Sequence, residues 1–134
     1  MSATSTLLRV LISDDDPMIR DALREVLEAE ADIEVVGTAA DADEAIALAE
    51  EHAPAVVVLD VRMPGGGGPR AAREILLRAP ATRILAFSAY DDSGTVAEMT
   101  RAGIVEYLLK GASNTEIVAA VRRAGALFEA RETP

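Results

Sequence analysis

Short apolar and β-branched runs alternate along the chain with segments whose apolar positions recur every three or four residues. The runs are LLRVLIS ending at Ser13, IEVVGTA from Ile33, AVVVLD ending at Asp60, RILAFS ending at Ser88 and EYLLK ending at Lys110. Near-continuous apolar runs of this length predict strands buried on both faces. Between them, Pro17 to Glu30 sets Ile19, Ala22, Leu23 and Val26 on one helical face, and Asn114 to Ala130 does the same with Ile117, Val121, Ala124 and Phe128. Pro17 and Pro69 suit first turns, and Asp41 and Asn114 suit helix caps. Five βα units follow, and right-handed crossovers fold such units into a parallel sheet with helices on both faces. Open sheets of this kind bind ligands at the carboxyl ends of their strands, so the sequence becomes a map of one rim.

Four polar features fall on that rim: Asp14, Asp15 and Asp16 after the first strand, Asp60 after the third, Ser88 after the fourth and Lys110 after the fifth. Carboxylates meeting there repel one another unless a cation intervenes, and an all-oxygen site retaining water suits Mg²⁺. At least one of the three consecutive aspartates is expected only to cap the first helix. With a metal beside it, Asp60 is placed to attack a phosphoryl group and form an acyl phosphate. Lys110 would then meet the phosphoryl oxygens as an ammonium, and the Ser88 hydroxyl would offer a neutral hydrogen bond.

Taken together, VLISDDDPMIR, VVVLDVRMPGGGG, ILAFSAY and EYLLKG resemble the receiver domains of two-component response regulators over roughly residues 7–124. The resemblance implies a (βα)5 flavodoxin-like domain of strand order 2-1-3-4-5 with helices on both faces. It also implies that Asp60 is the phosphoacceptor, Asp15 a direct Mg²⁺ ligand, Asp14 a ligand mainly through water, and the Arg62 backbone carbonyl a third protein ligand. Ser88 and Lys110 become the phosphate-sensing pair, and Tyr107 matches the switch aromatic that turns inward with the hydroxyl residue. Gly111 stands where many receivers have proline, and LLKGAS is similar to the subgroup with LuxR-type helix-turn-helix outputs. Asp16 is expected to be a capping or surface carboxylate. Arg62 and Tyr90 occupy positions that flank the phosphoryl group and influence its lifetime in the family. The implied partners are a sensor histidine kinase, a phosphorylation-dependent homodimer, and an output domain or protein.

Composition narrows the remaining choices. The formal charge of −10 repels phosphate backbones and anionic lipid, so neither direct nucleic-acid contact nor membrane binding is expected. With no cysteine there is neither a disulfide nor a thiolate metal site. No signal-peptide pattern and no long apolar run is present, which points to the cytoplasm. The expected organisation is a single domain over residues 1–134, with a core of about 7–130, short flexible tails and no output domain within the chain.

A haloacid-dehalogenase-like phosphatase shares the strand-end aspartate and Mg²⁺, but needs a second acid where Arg62 stands. A flavodoxin-like cofactor carrier wants hydroxyls where SDDDP presents carboxylates. The run Gly65 to Gly68 is closed by Pro69 and Arg70 rather than by Lys and Ser or Thr, so it is not a nucleotide-cradling loop. By resemblance only a glycine near Gly68 is needed, leaving Gly65 to Gly67 as a permissive, mobile loop. Met63 and Pro64 are expected to shape that loop and Met99 to fill core. His52, the single histidine, is expected to be a helix-terminal side chain without a catalytic role.

Overall fold

The computed structural model describes residues 7–132. Five strands and five helices alternate: β1 (Leu8–Ser13), α1 (Pro17–Glu28), β2 (Ile33–Ala39), α2 (Ala42–His52), β3 (Val56–Asp60), α3 (Gly67–Arg78), β4 (Arg83–Ser88), α4 (Ser93–Arg101), β5 (Glu106–Leu109) and α5 (Asn114–Glu132). The strands form one parallel sheet of order β2-β1-β3-β4-β5, the expected flavodoxin-like arrangement. The expected tails lie almost wholly outside the described residues.

Alternation along the central strands feeds two cores. Leu11, Val57, Leu59, Ile84 and Ala86 face α2, α3 and α4, where Ala42, Ala45, Ala49, Ala71, Ala72, Ile75 and Met99 complete the layer. Val10, Ile12, Val56, Val58, Leu85 and Phe87 face α1 and α5 through Leu23, Leu27, Ile117, Val121 and Ala124. Alanines on α2 let that helix approach the sheet closely, and Met99 is fully buried as core filler.

Side-chain caps set the start of four of the five helices, α3 starting from Gly66 without one. Asp16 accepts from the Met18 amide, Asp41 from Glu44 and Asp92 from Thr95, satisfying amides that lack helical partners. Asn114, expected to cap α5, is instead its first helical residue. The cap is Ser113: its Oγ accepts from the Glu116 amide at 3.2 Å, and Glu116 Oε1 accepts from the Ser113 amide at 3.1 Å. That reciprocal pair is a capping box, which outcompetes a lone asparagine one residue later. The fifth strand ends at Leu109, so Lys110 stands one residue beyond it, with its amide donating to the Ser88 carbonyl at 2.8 Å.

Candidate functional site

The carboxyl ends of β1, β3, β4 and β5 bring Asp14, Asp15, Asp60, Ser88 and Lys110 to one rim. Asp60 closes a strand buried along its whole length and is itself only 4% exposed, while Asp14 and Ser88 are 0% exposed. Asp14 Oδ1 accepts from the Asp16 amide at 2.9 Å, and its backbone carbonyl accepts from Arg20 Nη1 at 2.7 Å. These bonds fix the turn leaving β1 and aim the second carboxylate oxygen across the rim. Asp14 Oδ2 is buried with no hydrogen-bond partner of good geometry. It forms an ion pair with the Lys110 ammonium 2.7 Å away; Asp60 Oδ2 lies farther from that ammonium, at 3.5 Å.

Asp14, Asp15 and Asp60 offer carboxylate oxygens within 4.8 Å of one another. Three hard anionic donors meeting at one rim fit a small divalent cation with retained water. Asp15 is exposed and adds its charge from the solvent side. Asp16 is occupied as the α1 cap.

Burial, followed by the neighbouring Asp14 charge, pushes the Asp60 carboxyl up to about 6, against the opposing pull of Lys110 and the Arg62 amide. Partial burial disfavours the Lys110 ammonium, yet Asp14 and Asp60 outweigh that and hold its pKa above the ordinary lysine value. The resting site is therefore an acidic cluster partly neutralised by the only lysine in the chain.

Ser88 Oγ accepts from the Tyr90 amide at 3.1 Å. The Tyr107 hydroxyl donates to the Tyr90 carbonyl, and its half-buried ring packs against the α2–α4 core layer. Sequence reasoning places Ser88 and Lys110 at the rim and marks Tyr107 by resemblance, but misses two contacts. One is Lys110 pairing most closely with Asp14. The other is the Arg62 guanidinium, which stacks 4.0 Å from the centre of the Tyr90 ring. The available signal is positional, since Arg62 and Tyr90 each stand two residues past the ends of neighbouring strands.

The glycine run uses backbone conformations that glycine permits. Gly65, Gly66 and Gly67 have φ of 88°, 97° and 72°, the left-handed region that side chains disfavour. A Cβ on Gly68 would lie 2.8 Å from the Asp60 carbonyl oxygen and from Val61 Cα. Met63 is buried in the core, and the Pro64 carbonyl accepts from the Ala42 amide at 3.0 Å, so both residues shape the loop. His52 ends α2 with its ring beside Glu51, at the opposite end of that helix from the rim.

The response regulator receiver domain family matches residues 10–122, and the chain belongs to it. It is 39% identical over 117 residues to the uncharacterized transcriptional regulatory protein YxjL of Bacillus subtilis, covering 87% of this chain and 54% of that protein. It is 37% identical over 118 residues to the transcriptional regulatory protein LiaR of the same organism, covering 88% of this chain and 56% of the relative. The chain thus spans about half the length of the curated relatives it matches. Among solved structures, the signal receiver domain of the putative response regulator NarL from Mycobacterium tuberculosis superposes with a TM-score of 0.85 at 34% identity, covering 90% of this chain and 98% of that one. The fold and these relatives make the chain a receiver domain of a two-component response regulator, similar to those of LuxR-family regulators. The dehalogenase-like alternative finds no support in either the relatives or the residue at Arg62. No described helix is long and apolar enough to cross a membrane.

Proposed function

We propose that Asp60 is the phosphoacceptor of this receiver and that a sensor histidine kinase is its donor. The observation carrying the reading is the convergence of Asp14, Asp15, Asp60 and Lys110 at one rim, with carboxylate oxygens of the three aspartates within 4.8 Å of one another. A carboxylate oxygen of Asp60 attacks the phosphorus of a phosphohistidine as the P–N bond breaks. The electron pair and a proton from solvent end on the leaving imidazole, and an acyl phosphate remains on Asp60. Asp14, Asp15, Asp60 and the Arg62 carbonyl would hold Mg²⁺, with Asp14 acting mainly through water. When bound, Mg²⁺ supplies positive charge that offsets the negative charge on the transferred group.

Lys110 then exchanges its contact with Asp14 for the phosphoryl oxygens, and the Ser88 hydroxyl donates to another of them. The Ser88 hydroxyl also accepts from the Tyr90 amide, so its movement toward the phosphoryl group is passed through Tyr90 to Tyr107 and to the face around α4 and β5. Beside the rim, an open groove of about 380 Å³ is lined by Met18, Ile19, Ala22, Phe87, Ala112 and Ile117. An apolar surface next to the acceptor suits a protein donor. The relatives' names describe transcriptional regulators, and the matched stretch is about half of each of them. By that likeness the receiver controls an output module, or a homodimer contact, in the cytoplasm, and its acidic surface does not itself bind nucleic acid.

Incubation with acetyl phosphate and Mg²⁺, followed by intact-mass measurement, is expected to add one phosphoryl group that is absent in Asp60→Ala. No gain with any donor, a histidine kinase included, or a gain that survives the substitution, would overturn the reading.

A further inference from the structure

The loop joining β3 to α3 is closed at its base by the Gly68 amide, which donates to the Val61 carbonyl at 2.7 Å. It is tied to α2 by the Pro64 carbonyl, which accepts from the Ala42 amide at 3.0 Å. Between these ties stand Gly65, Gly66 and Gly67, all in the left-handed region, and α3 starts from Gly66 without a capping side chain. Free glycines sample many conformations, so a run of three needs something to hold it. Arg70 supplies the hold: its Nη1 donates both to the Gly65 carbonyl at 2.6 Å and to Asp43 Oδ1, on the first turn of α2, at 2.8 Å. The stem of Arg70 arches over Gly66, where a Cβ would lie 2.8 Å from Arg70 Cδ. The Arg70 side chain is 45% exposed and that of Asp43 75%, so their ion pair alone contributes little to stability; its effect is to aim the donor at the loop.

We infer that Arg70, held by Asp43, is a positioning and specificity-determining residue for the metal at the rim: it latches the glycine loop, steadies the Arg62 backbone carbonyl upstream of Gly65, and so favours Mg²⁺ over Ca²⁺. Mg²⁺ demands near-ideal octahedral ligands at short distance, whereas Ca²⁺ accepts longer and more varied ones, so discrimination between them depends on how rigidly the oxygens are held. The rim carboxylates stand at the ends of β1 and β3, which pair directly in the sheet. The Arg62 carbonyl is the one proposed ligand that belongs to the glycine loop, and the latch gives it the rigidity that the sheet gives the others. The discrimination rests on the proposed metal site; the latch itself does not.

In the metal-free chain, ¹H–¹⁵N heteronuclear NOEs of Gly65, Gly66 and Gly67 are expected to match those of the flanking elements in wild type and to fall in Arg70→Met, which keeps most of the stem and loses both donated bonds. Calorimetric titrations with the chlorides of Mg²⁺ and Ca²⁺ then read the discrimination. In Arg70→Met the Mg²⁺ dissociation constant is expected to rise about fivefold and that of Ca²⁺ by less than about twofold. Long-range charge predicts the reverse, since removing a cation from a chain of charge −10 tightens both ions. Because the two ions carry equal charge, that effect also cancels in the ratio of their constants. Arg70→Lys is expected to fall between wild type and Arg70→Met, because both bonds leave one nitrogen that an ammonium partly replaces. Asp43→Ala is expected to move the ratio in the same direction by less. Unchanged glycine NOEs in Arg70→Met, or an equal loss for both ions as a merely structural role would give, overturns the inference and leaves the metal site standing. A wild type that binds neither ion overturns the metal site and the inference together.

Discussion

Burial and the Asp14 carboxylate raise Asp60 to about 6 in the folded chain, whereas an unfolded aspartate titrates near about 4. Between these values the folded state holds more protons than the unfolded one, so stability attributable to this group falls as pH rises through the window and levels off above it. Asp60→Asn removes the ionisation and keeps the shape. In EDTA the variant is therefore expected to match the wild type near pH 4 and to become more stable than it by about 2–3 kcal/mol above pH 7, the raised value already including the opposing pull of Lys110. Urea midpoints across the pH range measure this, and a gap that does not vary with pH would show that the charge on Asp60 is not opposed by the fold. The cluster thus carries a local electrostatic strain, and a bound cation or a transferred phosphoryl group changes it directly.

At the scale of elements, α3 depends on the glycines that precede it. The Gly68 amide donates to the Val61 carbonyl at 2.7 Å, and any Cβ there would press on backbone rather than on a movable side chain. Gly68→Ala is expected to destabilise the fold by about 1–3 kcal/mol, because the end of β3 and the start of α3 must separate. A methyl group on Gly111 would meet nothing within 4 Å, so Gly111→Ala is expected to stay within about 0.5 kcal/mol of wild type. Equal urea midpoints for the two variants would contradict the assigned contact. Ser113→Ala removes the α5 capping box and is expected to lose about 1 kcal/mol, whereas Asn114→Ala loses less. These cases mark what can be read from the sequence. Strand ends at Ser13, Asp60 and Ser88 are legible because each apolar run stops abruptly at a polar residue, and that alone orders the rim. Asn114 is misread because two adjacent residues can both cap, and only the reciprocal bond to Glu116 decides between them. The stack of Arg62 on Tyr90 and the pairing of Lys110 with Asp14 depend on how loops turn after the strands, which hydrophobic periodicity does not encode. Gly65 to Gly67 look permissive because composition shows that glycine allows left-handed φ, not that the chain uses it.

For the whole molecule, the relevant coupling is between cation binding and global stability. The chain carries −10, and its most buried carboxylates share one ammonium, so a divalent ion that binds the folded rim and not the unfolded chain must stabilise the fold by mass action. At about 100 times its dissociation constant the gain is about 2.7 kcal/mol. For a domain of this size that corresponds to a rise in Tm of roughly 10 °C, reversed by EDTA. Lys110 sets the reference state for this gain, because its ammonium lies 2.7 Å from the same Asp14 oxygen that faces the acidic cluster. Lys110→Met keeps much of the side-chain volume but leaves the carboxylates uncompensated, so the metal-free variant is expected to be less stable than wild type by about 1–3 kcal/mol. With the competing ammonium gone, Mg²⁺ is expected to bind about tenfold more tightly, adding about 1.4 kcal/mol to its stabilising effect. Calorimetric titration and paired melting curves in Mg²⁺ and EDTA test both halves. Unchanged or weaker Mg²⁺ binding in Lys110→Met would show that the lysine supports the metal site instead of competing for it. A larger metal-induced rise in Tm from a lower starting point would establish that the resting receiver carries its own exchangeable cation.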